Sequence, residues 1–545
     1  MCLVTAVDNA SGTVRFDPTV GCDQGGPTSK SGAAWDWFIE GVREECDIPG
    51  EYYHDEEAEA IFYVFNGTET PTGREDFSMT RLKVLFDVRG SQSAPVRNLR
   101  IRGLTIRDAA LTYLGTTEAD KHELPSTGDW ALARSGAVRL EGVENVTLAR
   151  NHFTRCDGNA VSLNLFARGV AFVGNDFSWL GESAMTAFGS TSDCLFANCS
   201  VKLPGLVGPD GRGGNQPRGT RVVGNLVREI GISQKQSSAW AQQLTASTWI
   251  EGNVMFNSPR AAINYNDAFG GGDVVVGNLL FNHCRKDAQD ATGPVCCASS
   301  VLSSLSAGET TEVGRKCTSP LPLLPGGASE RSCCTAMNGW MRAPYIYDAG
   351  LIDDNTSDLT PGLAAIAAGA TPGFRPAPPG TGSVISQFRH LRHNFIVANY
   401  NSYDTMETDD GSSRYILSSN YLVFGQVVVN SAMVHGNSNY NVGNLHAFPQ
   451  LIGTGWGGGG ANTFVYNCTI LMRDAGDQWC NEALTLVSNN SIHTPDGRGG
   501  APGPKAQCSG SGNAVGGPLA DAQITAVATA LLAPYPRPAE GCPEQ

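Results

Sequence analysis

Residues 145–153 read NVTLARNHF and residues 169–177 read GVAFVGNDF, an offset of 24. The match runs on through GNAVSL at 158–163 against ESAMTAF at 182–188, where Ala160 and Ala184 keep the same spacing. Marking one Asn per unit gives Asn151, Asn175, Asn198, Asn225, Asn253 and Asn278, then a gap, then Asn394, Asn420, Asn444, Asn467 and Asn490. Successive markers are 23 to 28 residues apart within each block. Most follow a short alternating apolar stretch such as TRVVGN, TWIEGN or VVVGN.

Short strands of period two cannot each bury a face alone, but stacked as coils they can. A period in the twenties with about three strands per coil predicts a parallel β-helix filled by aligned Val, Ile, Leu and Phe. The L-x-x-L-x-L-x-x-N pattern of a leucine-rich repeat is absent. An Asn stacked on itself in successive coils satisfies its amide along the ladder, so these Asn read as structural.

Composition agrees with this architecture. The chain has 545 residues, 65 of them Gly, with 41% hydrophobic and only 17% charged residues. That is enough apolar material for a core, and the glycine suits many tight corners. The net charge of −15 argues against a nucleic-acid partner. No run of apolar residues is long enough for a membrane span, and a monomer is expected.

The expected layout is a cap region over 1–92, the β-helix over 93–490 with an insertion at 291–386, and a C-terminal cap or tail over 491–545. The stretch DAQITAVATALLA (521–533) reads as a short helix. Sixteen Cys, including the pairs Cys296–Cys297 and Cys333–Cys334, show no Cys-x-x-Cys spacing. Such a set predicts disulfides, an oxidising compartment and a secreted protein, with six cysteines (Cys284 to Cys334) in or beside the insertion. The start, MCLVTAVD, has no signal-peptide pattern, so an incomplete N-terminus is the expectation that reconciles the two.

Counting from each coil's Asn assigns every residue a phase. Asp267 lies 14 after Asn253, Asp290 lies 12 after Asn278, and Glu407, Asp409 and Asp410 lie 13, 15 and 16 after Asn394. Lys235 lies 10 after Asn225. Ionisable groups of successive coils thus fall near one phase and are expected on one face. Strands stack at about 4.8 Å, so carboxylates one or two coils apart span the separations used by retaining and inverting glycosidases. Clustered carboxylates also push one pKa upward and create a general acid. The structural alternative for each Asp is a turn cap or a Ca²⁺ ligand. Arg260, Arg342 and Trp340 are candidate sugar contacts, Trp340 by stacking. His390-x-x-His393 lacks a third ligand nearby, and no metal site is expected.

Several stretches resemble right-handed parallel β-helix proteins of the pectin-lyase-like superfamily, most of all large glycosidases of the glycoside hydrolase family 141 kind. The likeness covers roughly 35–490 and rests on CDIPGEYYHDEEAEAIFYV (46–64), SAPVRNLRIRGLTI (93–106), QKQSSAW (234–240), PRAAINYNDAFGGGD (259–273), NGWMRAPY (338–345) and METDDGSSRY (406–415). The family pattern of "NDGFGGG", "DHG…NSWDR" and "IDxDDGS" places Asp267, Asp290, Asp409 and Asp410 in the catalytic set. Here Asp290-Ala291-Thr292-Gly293 lacks the His, Trp340-Met341-Arg342 lacks a carboxylate, and Glu407 replaces an Asp.

The resemblance implies a right-handed β-helix acting on a polysaccharide or oligosaccharide. Asp267, Asp290, Asp409 and Asp410 are the catalytic candidates of a glycoside hydrolase. Lys235, Arg260, Asn266, Trp340, Arg342 and Glu407 are the substrate-binding candidates, and no cofactor is required. A polysaccharide lyase holding Ca²⁺ on the acidic cluster is the second enzyme reading. A non-catalytic carbohydrate-binding or structural β-helix is the third.

Overall fold

The computed structural model describes residues 41–65, 80–112, 133–189, 215–265, 270–283, 389–397, 415–423, 440–448, 463–472, 485–495 and 512–532, with 4–8, 10–16 and 73. It also describes the strand backbone at 202–203, 206–207, 332–338, 350–351, 385–386, 402–407, 426–428 and 452–453. The architecture is an all-β solenoid built on three long parallel sheets, here called A, B and C, of 14, 11 and 12 described strands. Each coil crosses them in turn. Val138–Glu144 lies in A, Thr147–Ala149 in B and His152–Cys156 in C, and Val161–Arg168 then returns to A above Val138–Glu144.

Sequence alternation explains the packing. In sheets B and C the middle residue of a three-residue strand points inward, as in Ala171–Val173 and Leu226–Arg228, where Phe172 and Val227 are buried and their neighbours are not. Stacking these positions coil on coil makes one continuous core, with Leu148, Phe172, Val222, Ile250 and Val275 in successive coils of sheet B. Phe153 and Phe177 stack in sheet C at 4.7 Å between ring centroids.

The Asn ladder runs along the corner between B and C. Asn151 Nδ2 donates to Asn175 Oδ1 at 3.1 Å and to the Ile101 carbonyl at 2.9 Å, and Asn175 Oδ1 also accepts from the Asn151 backbone N–H at 3.0 Å. The same set repeats at Asn225, Asn253, Asn278, Asn394 and Asn420, all buried. The residue before each ladder position is left-handed. Arg150, Gly174, Gly224 and His393 all have φ between 53° and 64°.

Two expected markers need correction. Asn175 bonds directly to Asn225 at 3.0 Å, so no ladder step falls at Asn198, which lies outside the described residues. Residues between them form one enlarged coil. Asn467 is exposed with φ 55° and takes the left-handed slot, so Cys468 occupies the ladder position and its N–H donates to Asn490 Oδ1 at 2.8 Å. Asn tolerates the left-handed region better than most residues, which makes it ambiguous between the two neighbouring slots. The ladder also gains a member beyond Asn490, since Asn513 Oδ1 accepts from Asn490 Nδ2 at 3.0 Å.

Asn278 passes directly to Asn394, so the 291–386 segment lies within a single coil. It supplies Ser332–Asn338 to sheet A and the antiparallel pair Gly350–Leu351 and Ile385–Ser386. Upstream, Phe86–Arg89 and Val96–Arg97 begin sheet A, and two antiparallel hairpins precede them. Near the C-terminus, Ala514–Gly516 ends sheet C, followed by helix α1, Asp521–Leu532. The three described cysteines, Cys46, Cys156 and Cys468, are free thiols; the Cys-rich side chains of the insertion lie outside the described residues.

Candidate active site

In its middle coils sheet A differs from B and C in being buried on both faces, whereas its first strand, Phe86–Arg89, is largely exposed. Its strands β1 (Ser238–Gln243) and β2 (Ala261–Tyr265) have every side chain buried. Trp240, Ile263 and Tyr265 point into the core. The alternate positions form an outward column that is polar in most coils: Ser162, Thr186, Ala241 and Asn264 lie in register. Next to them in sheet A come β3 (Ser332–Asn338) and β4 (Ser402–Glu407), and the register Asn264↔Asn338↔Glu407 carries the column on.

This register aligns the three backbone positions from which the sequence motifs continue. Asn266-Asp267, Trp340 and Arg342, and Asp409-Asp410 each begin two residues beyond one of these three aligned positions. The motifs therefore follow adjacent strands at one edge of sheet A. Asn266, Asp267, Asp290, Trp340, Arg342, Asp409, Asp410 and the Glu407 side chain lie outside the described residues.

Lys235 and Arg260 precede β1 and β2 and so belong to the opposite edge. Lys235 Nζ donates to the Ile232 carbonyl at 2.6 Å, and the Arg260 guanidinium donates to Gln236 Oε1. The five extended residues of β2 separate Arg260 from Asn266, about 17 Å of strand. By chain order Lys235 and Arg260 come before their sheet A strands, whereas Asp267 and Asp409-Asp410 come after theirs.

Two described residues that the motifs did not single out stand out, one beside the site and one before an earlier strand of sheet A. Asn264 is 1% exposed, and neither atom of its amide has a hydrogen-bond partner. Leaving a buried amide unsatisfied costs about 1–3 kcal/mol per group, so its place on the outward column marks a ligand-contact candidate. Its signal in sequence was parity, since Asn264 and Asn266 alternate with Tyr265. The second is Glu182, at the start of the Met185–Phe188 coil. It is fully buried, and Thr112 Oγ1 donates to Oε2 at 3.3 Å. Burial pushes its carboxyl up to about 8, opposed by hydrogen bonds from Thr112 and from the backbone at Asn159 and Ala133. The repeat hinted at it, because a Glu stands where the preceding coil has Gly158.

Behind β2, Asp273 and Arg389 form an ion pair at 3.1 Å with both side chains fully buried. Asp273 also accepts from the Thr248 N–H at 2.8 Å and from Gln242 Nε2 at 3.2 Å. Burial pushes the Asp273 carboxyl up while the Arg389 charge pulls it down. Among the described residues no group of three or more His, Cys, Asp or Glu is placed to hold a metal ion. No described helix is long and apolar enough to cross a membrane.

No protein-family model matches the chain, and no curated protein matches it. One solved structure, titled "Glycoside hydrolase", is similar with a TM-score of 0.42 and 11% identity over 94% of this chain. The chain spans 65% of the length of that protein.

Proposed function

We propose that this chain is a polysaccharide-processing glycoside hydrolase on a right-handed parallel β-helix, with Asp267, Asp409 and Asp410 just beyond the exit edge of sheet A and Asp290, which precedes β3, entering from the opposite one. The observation that supports it is the register Asn264↔Asn338↔Glu407, which makes the motifs of Asp267, Trp340 and Asp409-Asp410 leave three adjacent strands. Right-handed crossovers are the rule for parallel strands joined through other elements. Strands β2 and β4 are two steps apart, about 10 Å, near the spacing of an inverting acid and base. Asp290, between β2 and β3 in the chain, is the further carboxylate. One of the four protonates the leaving oxygen, and another activates water or attacks the sugar. Asn264, Asn266, Trp340 and Arg342 hold the glycan beside them. The substrate class is a fucosylated or xylan-type polymer of an extracellular setting.

Asp→Asn variants at 267, 290, 409 and 410, assayed on such polymers, test this reading. Two of them are expected to lose about 10²–10⁴-fold in kcat. Unchanged turnover in all four refutes it, and an unsaturated product abolished by chelator assigns a lyase instead.

A further inference from the structure

The corner where sheet A passes into sheet B has one interior position per coil. Register aligns Val146 and Val170 in early coils with Thr248, Asp273, Arg389 and Tyr415 in later ones. All six are buried. Valine in the early coils shows that the solenoid itself does not require charge here. A buried ion pair is no better for stability than well-packed apolar residues, so its position needs another reason.

The charged positions coincide with the coils of the carboxylate motifs. Tyr265 and Asp273 bracket residues 266–272, and Tyr415 closes 408–414. Arg389 reaches all three. Its Nε donates to Asp273 Oδ2 at 3.1 Å, and its guanidinium lies 5.0 Å from the Tyr415 ring centre and 5.9 Å from that of Tyr265. The two rings are 6.3 Å apart. Gln242, which donates to Asp273, accepts from Trp240 Nε1 at 2.8 Å and ties the group to β1. Arg389 opens the strand that follows the long insertion, so the chain returns from 291–386 directly onto these contacts.

We propose that Arg389 is a positioning residue that holds the ends of the segments carrying Asp267 and Asp409-Asp410 in fixed relation from inside the solenoid. This rests on the hydrolase reading, although its physical core, the tethering of both segments, is measurable without activity. The test is the double variant Asp273→Leu/Arg389→Met, which replaces the pair by apolar groups and is expected to keep a cooperative melt. Hydrogen exchange of 261–265, 273–276 and 415–418 should rise about 10-fold or more. With a cleaved polymer, kcat should fall about 10- to 100-fold with KM nearly unchanged, the scale of a misplaced reacting group. The pH–rate bell should change in width, because the separation of two carboxyls sets their coupling. Arg389→Lys should recover part of the loss. If the double variant does not fold, Tyr415→Leu should speed exchange in 415–418 alone. Exchange at the wild-type rate in the folded variant overturns the proposal. A wild-type protein that cleaves no polymer overturns the hydrolase reading, and the exchange result still decides the role of Arg389.

Discussion

Glu182 is completely buried with no ion-pair partner among the described residues, and its carboxyl is pushed up to about 8 by loss of water. In the unfolded chain the same group ionises near 4.5. Its contribution to stability is therefore full below about 4.5 and is lost as pH rises to about 8. Glu182→Gln should remove that loss. In urea unfolding at pH 5 and pH 8.5, the wild type should lose stability relative to the variant at the higher pH; parallel behaviour would contradict the assignment. His283 and His446 act in the other direction, since burial lowers both to about 3, and their contribution is lost as pH falls from about 6.5 through 3. Comparing the variant with the wild type at each pH cancels the histidines. Single residues were partly legible in sequence. The Asn ladder was visible because it repeats, whereas Glu182 and Asn264 occur once, and the faint signals of repeat and parity gain meaning only through their burial.

Helix α1 was legible from its alanine-rich composition, but its docking place was not. It lies against the outward face of sheet C, where Ile524, Val527 and Ala528 meet Leu445, Ala447 and Leu471, with Tyr421 and Val423 beside them. Those partners come from three coils and are outward-facing, so no single strand announces an apolar exterior. Ile524→Asp places a charge on that contact and removes apolar burial. It is expected to destabilise the protein by about 2–3 kcal/mol in chemical denaturation. A change below about 0.5 kcal/mol would show that the helix is peripheral.

At the scale of the molecule, stability in a solenoid is a sum over coils and their interfaces. Two coils are enlarged, and the ladder passes both without a break. Gly189 and Gln216 flank the first enlargement and touch: a Cβ built on Gly189 would lie 2.7 Å from that of Gln216. Deleting 190–214 with a short glycine bridge should therefore keep the circular dichroism spectrum and shift Tm by only a few degrees. Loss of the cooperative melt would show that the segment is part of the core.

The repeat, and with it the all-β solenoid, was readable because most described coils obey the same local rule: an inward apolar residue, a left-handed corner, a buried Asn. Periodicity averages over many coils and survives two wrong markers. The candidate site has no such redundancy. Phase along the chain grouped Lys235 with the carboxylates, whereas the strand bounds put Lys235 before its sheet A strand and Asp267 and Asp409-Asp410 after theirs. The Asp273–Arg389 pair, 116 residues apart in sequence, meets only because the insertion lies within one coil. Local pattern specifies what each coil is; which distant residues become neighbours depends on where the stack closes over its insertions.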